Sequence, residues 1–202
     1  MTIRCAVKGK NDFEASAWPG GVTREFFIYP EMSSCAARNF EVRVSSATVD
    51  ADMSVFSNFA GFTRHITPLS GELRLVHDGN DERALRPGDI HTFDGGAHTV
   101  SHGKCVDFNL IHSIQWEGKM AYIREEGSVS FSRGFAGCFA AQGPLEAEIG
   151  GDVRGAVFRV CLKEGEFLLA GSGETTPERF ALRVIRPDEP MNAVLFSASR
   201  IG

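Results

Sequence analysis

The stretch "LSGELRLVHDGNDERALRPGDIHTFDGGAHTVSH", residues 69–102, contains three strand signals, each bordered by a turn signal. Short runs at 72–77, 89–93 and 98–102 are separated by "HDGND", "RPGD" and "DGGA". Gly, Pro, Asn and Asp favour tight turns, so this stretch predicts a series of antiparallel strands.

The same pattern extends outward from this stretch in both directions. In "FEVRVSSATV", residues 40–49, apolar Phe40, Val42 and Val44 alternate with polar neighbours, which is typical of a strand. Further strands are predicted at 22–29, 62–67, 105–112, 128–132, 136–141, 155–162, 166–170, 179–185 and 191–198. With 22 glycines and no amphipathic helix pattern longer than about two turns, the sequence predicts an all-β barrel or sandwich with few or no helices.

Composition and charge narrow the partners and the compartment. The net charge of −5 disfavours nucleic acid and anionic membranes, and no apolar run approaches the roughly 18 residues of a membrane span. The first ten residues lack the pattern of a signal peptide, so we expect a cytoplasmic protein. Five scattered cysteines without a CxxC pair predict free thiols rather than disulfides or a zinc site.

The chain is predicted to contain two packed β halves within one compact unit. Residues 1–114 hold nearly all the candidate chemistry, and residues 115–202 form a smaller half with no histidine. No Pro- or Ser-rich linker separates them. The second half is interpreted as a scaffold or as the surface of a homodimer.

The layout of residues 69–102 resembles the central hairpins of a cupin barrel, a fold that often binds a divalent metal. His98 falls near the histidine of the second cupin motif, but Ser57, Phe59 and Arg64 fall where the first motif would supply its ligands. A guanidinium repels a cation, and a phenylalanine offers no donor atom. We therefore expect neither a metal nor any other cofactor, although His65, His91, His98 and His102 remain alternative ligands.

Arg64 is the most informative of these replacements. It lies on the strand face that carries Phe62 and Ile66, so its charge is expected to be partly desolvated, which is costly without a partner. That partner is either an internal carboxylate, Asp94 or Asp107, or the carboxylate of a ligand. Both arrangements are compatible, because an aspartate can orient the arginine from behind.

Several segments between residues 18 and 112 together resemble the HutD/Ves family. They are "WPGGVTRE" (18–25), "FEVRVSSATV" (40–49), "FSNFAGFTRHITPLSGE" (56–72), "HTFDG" (91–95) and "DFNLI" (107–111). The resemblance implies a bicupin-type β fold without the usual metal ligands. It also implies a bacterial cytoplasmic protein that moderates histidine utilisation by binding a small pathway metabolite.

The resemblance and the pattern together give a set of ligand-binding residues. They are Trp18, Gly20, Gly21, Thr23, Arg24, Glu25, Ser45, Arg64, Phe93, Asp94, Asp107 and Asn109. Gly20 and Gly21 are expected to let the backbone approach the ligand closely, although a plain solvated strand entry is the alternative. On strand 107–111 the pattern favours burying Phe108 and Leu110, whereas the resemblance favours Asp107 and Asn109 in the pocket; this conflict stays open.

Three functions are compatible with these residues. The preferred one is non-catalytic binding of a small carboxylate, such as urocanate or formylglutamate, that tunes histidine or amino-acid catabolism. The alternatives are a cupin enzyme of isomerase or oxygenase type and a protein-interaction module. No catalytic triad or carboxylate dyad is evident, so no residue is assigned a catalytic role.

Overall fold

The structure is a computed structural model that describes residues 3–151, 158–173, 179–185 and 190–202. The strands are β1 (Arg4–Lys8), β2 (Glu14–Trp18), β3 (Gly21–Tyr29), β4 (Val42–Val49), β5 (Met53–Val55), β6 (Phe62–Gly71), β7 (Leu73–His77), β8 (Asp81–Leu85), β9 (His91–Asp94), β10 (Thr99–His102), β11 (Cys105–Ser113), β12 (Trp116–Ile123), β13 (Gly127–Phe131), β14 (Gly134–Gln142), β15 (Leu145–Gly151), β16 (Phe158–Leu162), β17 (Phe167–Gly171), β18 (Phe180–Ile185) and β19 (Asn192–Arg200). A short 3-10 helix, Lys10–Asp12, is the one helix in these ranges, and no described helix has the length and hydropathy needed to span a membrane.

The predicted all-β class is confirmed, and the predicted strands correspond to observed ones. The start of one prediction, residues 155–157, lies outside the described residues. Six strands were missed: β1, β2, β5, β8, β12 and β15. Four of these, β1, β2, β5 and β8, carry mostly exposed side chains, so they lack the run of buried apolar residues that marks a strand in the sequence.

The chain forms two compact units whose boundary differs from the prediction. The central unit is Phe13–Gln115, and the terminal unit contains the described residues before Phe13 and after Gln115. The predicted division into 1–114 and 115–202 therefore needs a correction at the N-terminus. Strand β1 pairs with β17, with Arg4 opposite Gly171, so hydrogen bonding joins it to the C-terminal part of the chain.

The central unit is a sandwich of two antiparallel sheets. Their strand orders are β2-β3-β4-β11-β6-β9 and β5-β10-β7-β8. The core draws on both sheets and consists of Ala47, Val49, Ile66, Leu73, Leu75, Leu85 and Cys105. The face of the six-stranded sheet that carries Ile66 is called the interior face below.

The terminal unit has its own pair of sheets, ordered β1-β17-β14-β19-β12 and β13-β18-β15-β16. Its core cluster consists only of apolar residues, among them Phe131, Cys138, Leu168, Leu182 and Leu195. None of the predicted ligand-binding residues lies in this unit.

The register of the six-stranded sheet fixes which side chains share the interior face. Three alternate cross-strand rows, which share the interior face, cross β3, β4, β11 and β6. The first row is Ile28, Arg43, Ile111, Arg64 and, on β9, Phe93. The second is Glu25, Ser45, Asn109, Ile66 and, on β9, His91, and the third is Thr23, Ala47, Asp107 and Pro68. Side chains in adjacent rows of one face are neighbours, so polar groups from four strands meet here.

Candidate functional site

Arg64 is a buried cation without a carboxylate partner. Its side chain belongs to a residue only 7% exposed, and its Nη2 donates to Asn109 Oδ1 at 2.9 Å. Among the described residues no carboxylate forms an ion pair with it, and its buried Nε has no hydrogen-bond partner. The guanidinium therefore retains donor capacity inside the sandwich.

Aromatic rings partly compensate for the loss of water around this guanidinium. Its Cζ lies 4.5 Å from the ring centre of Phe56, 5.4 Å from that of Phe93 and 6.0 Å from that of Phe59. Such contacts are favourable by roughly 0.5–2 kcal/mol each, well below what a fully desolvated charge needs. Burial lowers the pKa of Arg64 to about 10, so the group remains charged at neutral pH.

Asp107 supports Arg64 indirectly, through Asn109. Asn109 Nδ2 donates to Asp107 Oδ1 at 2.6 Å, and the same oxygen accepts the Ala47 backbone N–H at 3.2 Å. Burial raises the pKa of Asp107 to about 6, and it outweighs the lowering by the Arg64 charge and by these two hydrogen bonds. The Asp107 carboxylate thus holds the Asn109 amide, which in turn holds the Arg64 guanidinium.

The neighbouring arginine of the first row, Arg43, has a partner of its own. Its Nε lies 2.7 Å from Glu25 Oε2, and its Nη1 donates to Ser45 Oγ at 3.1 Å. Glu25 is thereby occupied, and so is one face of the Ser45 hydroxyl. Of the two buried arginines on this face, only Arg64 lacks a carboxylate.

Histidines form two pairs in the central unit. His77 and His91 place their Nε2 atoms 2.9 Å apart, and His77 Nδ1 lies 2.8 Å from Thr99 Oγ1. His65 and His112 place theirs 3.1 Å apart. Burial lowers the pKa of His65 to about 4 and also lowers the pKa values of His77 and His91, so these rings are neutral at pH 7.

The residues at the cupin metal position do not fit a metal. Arg64 directs a positive charge into the interior, and no group of three or more His, Cys, Asp or Glu side chains is placed to hold a metal ion within the described ranges. His98, the candidate from the second motif, is exposed. Two imidazoles alone give fewer protein ligands than structural or catalytic zinc sites have.

The structure brings several of the predicted residues together on the interior face. Besides Arg64 they are Thr23, Glu25, Ser45, Phe93, Asp107 and Asn109. The open conflict on β11 is resolved in geometry: Asp107 and Asn109 share the face of Arg64, whereas Phe108 and Leu110 lie on the opposite face and are also buried.

Two of the predicted residues lie on the wrong face of the sheet. Arg24 pairs with Ser46, on the face opposite Thr23 and Glu25. Asp94 pairs with Thr63, is exposed, and accepts the Gly96 backbone N–H in a turn. Asp94 is therefore not the internal partner of Arg64, because strand alternation places it away from the guanidinium.

The glycines of "WPGG" serve the hairpin rather than an open rim. A Cβ on Gly20 would overlap the ring of Trp18, and a Cβ on Gly21 would meet the carbonyl oxygen of Thr48. Gly21 also has a φ of 151°, a conformation that favours glycine. The expected close approach of a ligand to this backbone does not fit, since protein atoms occupy that space. Trp18 itself packs against the central core.

The sequence reasoning missed Arg43, Phe56 and His77 as neighbours of the site. Arg43 alternates with Val42 and Val44 on the face that also carries Ser45, but only Ser45 was assigned to the ligand site. In fact both faces of β4 are buried. A charged residue between two apolar neighbours is the sequence signal that could have indicated the burial of Arg43.

An open cleft of about 620 Å³ lies elsewhere on the central unit. Its lining includes Glu72, Arg74, Leu85, Arg86 and His102, and none of the predicted ligand-binding residues. Arg74 and Arg86 are already paired with Glu82 and Glu72, at 3.3 and 3.6 Å. Because the arginines of this cleft are exposed and already paired with glutamates, the candidate site is placed at Arg64 instead.

Comparison with solved structures defines the class of protein. The chain aligns with oxalate decarboxylase from Lactobacillus farciminis at 8% identity and a TM-score of 0.64, covering 96% of this chain and 86% of that one. It aligns with a conserved protein of unknown function from Pseudomonas aeruginosa at 22% identity and a TM-score of 0.79, covering 97% and 99%. The protein therefore has a cupin-like β fold.

The family follows from the sequence comparisons. The HutD family model matches residues 10–180. The "uncharacterized 21.2 kDa protein in hutC 3'region" of Pseudomonas putida is 30% identical over 147 residues, 69% of this chain and 75% of that protein. HutD from Pseudomonas fluorescens SBW25 aligns at 21% identity and a TM-score of 0.73, covering 98% and 100%. The chain belongs to the HutD family.

Proposed function

We propose that this HutD-family protein binds a small carboxylate metabolite at Arg64 and, as a non-catalytic bacterial cytoplasmic protein, moderates histidine or other amino-acid catabolism. The observation that carries the proposal is the buried guanidinium without a carboxylate and with an unpartnered Nε. A permanently charged, planar group in this state favours a planar anion that accepts two parallel hydrogen bonds.

The surroundings of Arg64 suit an organic acid better than an inorganic anion. Three phenylalanine rings, Phe56, Phe59 and Phe93, surround the guanidinium and provide an apolar wall for the carbon skeleton of the ligand. Asn109 accepts a hydrogen bond from Nη2 and so fixes the orientation of the planar fork. Urocanate and formylglutamate combine a carboxylate with a planar group and are the first ligands to test.

A thermal-shift screen of the purified protein tests this proposal. Urocanate, formylglutamate, glutamate and formate are compared with the amides of the same acids, at several concentrations of each. A ligand at 100 times its Kd stabilises the folded state by about 2.7 kcal/mol, which gives a clear rise in melting temperature. The bound acid is expected to be recovered unchanged after incubation, as a non-catalytic role requires.

Two variants make the screen specific for the site. Arg64→Met is expected to remove the shift, because it keeps an apolar side chain of similar length and removes the charge. Arg74→Met is the control: Arg74 lies in the open cleft of the same unit, and the shift is expected to persist. A shift that survives Arg64→Met and disappears in Arg74→Met would relocate binding to the cleft and contradict the proposal.

A further inference from the structure

Asp107 is the second charged group of the site, and its hydrogen bonds are unevenly distributed. The residue is only 2% exposed. The two hydrogen bonds that its carboxylate accepts, from the Ala47 backbone N–H and from Asn109 Nδ2, both end on Oδ1. Within the described part of the chain, Oδ2 accepts no hydrogen bond. One carboxylate oxygen is thus held firmly while the other is available.

An ionised carboxylate has about four acceptor positions, and those on Oδ2 receive no donor from the described residues. Arg64 does not form an ion pair with Asp107, because Asn109 lies between them. The interior face therefore presents an unused donor on Arg64 and an unused acceptor on Asp107. The two side chains are bridged by the Asn109 amide, through hydrogen bonds of 2.9 Å to Arg64 Nη2 and 2.6 Å to Asp107 Oδ1.

We propose that Asp107 Oδ2 is a second anchor of the ligand site and selects acids that also carry a hydrogen-bond-donating or cationic nitrogen. This inference rests on the proposed function, because it takes Arg64 as the anchor of the carboxylate. The ligand then lies along Asn109 with its carboxylate at Arg64 and its nitrogen at Asp107. Small zwitterions, and acids with an amide, amidine or imidazole nitrogen, belong to this class.

Neighbouring groups support this orientation of the ligand, with its carboxylate at Arg64 and its nitrogen at Asp107. Glu25, the other carboxylate of the interior face, is occupied by Arg43 at 2.7 Å and is not available to a ligand cation. A second carboxylate on the ligand would meet Asp107 at short range, where like charges repel strongly in a poorly solvated site. Simple dicarboxylates are therefore disfavoured relative to acids with a nitrogen at the far end.

Matched pairs of probes test the inference on the whole protein. Propanoate, butanoate and pentanoate are compared by calorimetric titration with their ω-amino derivatives, and succinate and glutarate represent the dicarboxylates. One added charge-assisted hydrogen bond is worth roughly 1.5–3 kcal/mol, so the best amino acid is expected to bind at least about tenfold more tightly than its parent acid. The dicarboxylates are expected to bind more weakly than the parent acids.

Asp107→Asn is the decisive variant, because it keeps the oxygen that holds Ala47 and Asn109 and replaces only Oδ2 with a donor. The amino group should then lose its advantage, so that the affinities for the amino acid and its parent acid converge. A melting temperature of the variant at neutral pH that equals or exceeds that of the wild type verifies folding. In the wild type, the preference should also decline as the pH falls through about 6, where Asp107 becomes protonated.

The outcomes separate the two proposals. If the acids bind in an Arg64-dependent manner but the amino group gives no advantage, or if Asp107→Asn leaves the ratio unchanged, Asp107 only orients Asn109 and the inference is wrong while the proposed function stands. If none of the acids of either series binds, both are overturned. A preference that persists in Asp107→Asn but vanishes in Glu25→Gln would assign the second anchor to Glu25 and also contradict the inference.

Discussion

The two units solve the same packing problem with different side chains. Each is a pair of antiparallel sheets, but the buried polar residues in the described part of the terminal unit are only Ser172 and Ser197. The central unit buries two arginines, an aspartate, an asparagine and three histidines. Apolar burial contributes to stability, whereas buried charge opposes it unless matched. We therefore expect the terminal unit to contribute stability and the central unit to carry the proposed binding site.

A second comparison, within the central unit, separates a buried charge that has a counter-ion from one that has none. Arg43 and Arg64 occupy the same cross-strand row, on either side of Ile111. Arg43 has Glu25 as its partner, and Arg64 has an amide and aromatic rings. A buried cation that the protein leaves without a counter-ion is the one that gains most from an external anion.

The largest expected effect lies in the terminal unit. Leu182 is fully buried in its apolar core, so Leu182→Ala should lower the free energy of unfolding by about 2–5 kcal/mol. Denaturant unfolding followed by circular dichroism measures this change. A cost below about 1 kcal/mol would show that this core does not carry the stability assigned to it.

Asp107→Asn should stabilise the protein at neutral pH, by up to about 3 kcal/mol for a pKa raised from 3.8 to about 6. The folded carboxyl keeps its proton to a higher pH than the unfolded one. The contribution of the protonated Asp107 carboxyl to the free energy of unfolding is therefore fully present below pH 3.8 and is lost as the pH rises through about 6. The gain in the variant should accordingly shrink as the pH falls from 7 towards 4.

The titration of His65 makes it necessary to compare the wild type with Asp107→Asn rather than to follow the wild type alone. Its pKa is lowered to about 4, so the stability of the neutral ring is present above pH 6.5 and is lost as the pH falls towards 4. The two groups oppose each other in the wild type, and subtraction of the two unfolding curves isolates Asp107. A gain that does not depend on pH between 4 and 7 would show that the carboxyl titrates normally.

Arg43→Met should destabilise the protein without a ligand, because it leaves Glu25 without its partner in a partly buried place. Since the Glu25 side chain is 25% exposed, solvent limits the loss to roughly 1–3 kcal/mol. Urea unfolding measures the loss, and the double variant Arg43→Met with Glu25→Gln should recover part of it. An additive double variant would argue that the two side chains do not interact.

Arg64→Met should change the stability of the ligand-free protein least, within about 1 kcal/mol in either direction. The variant loses one hydrogen bond to Asn109 and the contacts of the guanidinium with three aromatic rings, but it also removes a buried charge that has no counter-ion. Unfolding in the same urea series gives the comparison with Arg43→Met. A loss of 3–5 kcal/mol would instead identify Arg64 as half of an internal pair.

The sequence was sufficient for the fold and for the central residue of the site. Alternation on β3, β4 and β11 predicted the strands, and the spacing of Arg64 and Ile66 predicted a cation on an interior face. Alternation could not identify the interior face where both faces of a strand are buried, because Asp107 and Phe108 are then both buried.

Other parts of the site depend on register, which a single sequence does not reveal. The contact between Arg64 and Asn109 joins residues 45 positions apart, and it exists because β6 and β11 are adjacent. The same limitation made Asp94 an equal candidate to Asp107. Likewise, the partner of β1 is a strand more than 150 residues away, so its assignment to the terminal unit was not predictable from local pattern.

The central claim is that Arg64 binds the ligand carboxylate with its planar fork. Calorimetric titration of the wild type, Arg64→Lys and Arg74→Lys with the acid that gives the largest thermal shift tests it most directly. Lysine keeps the charge but not the two parallel donors, so affinity should fall at least about tenfold in Arg64→Lys and stay within about twofold in Arg74→Lys. Equal affinity of the wild type and Arg64→Lys would contradict the claim.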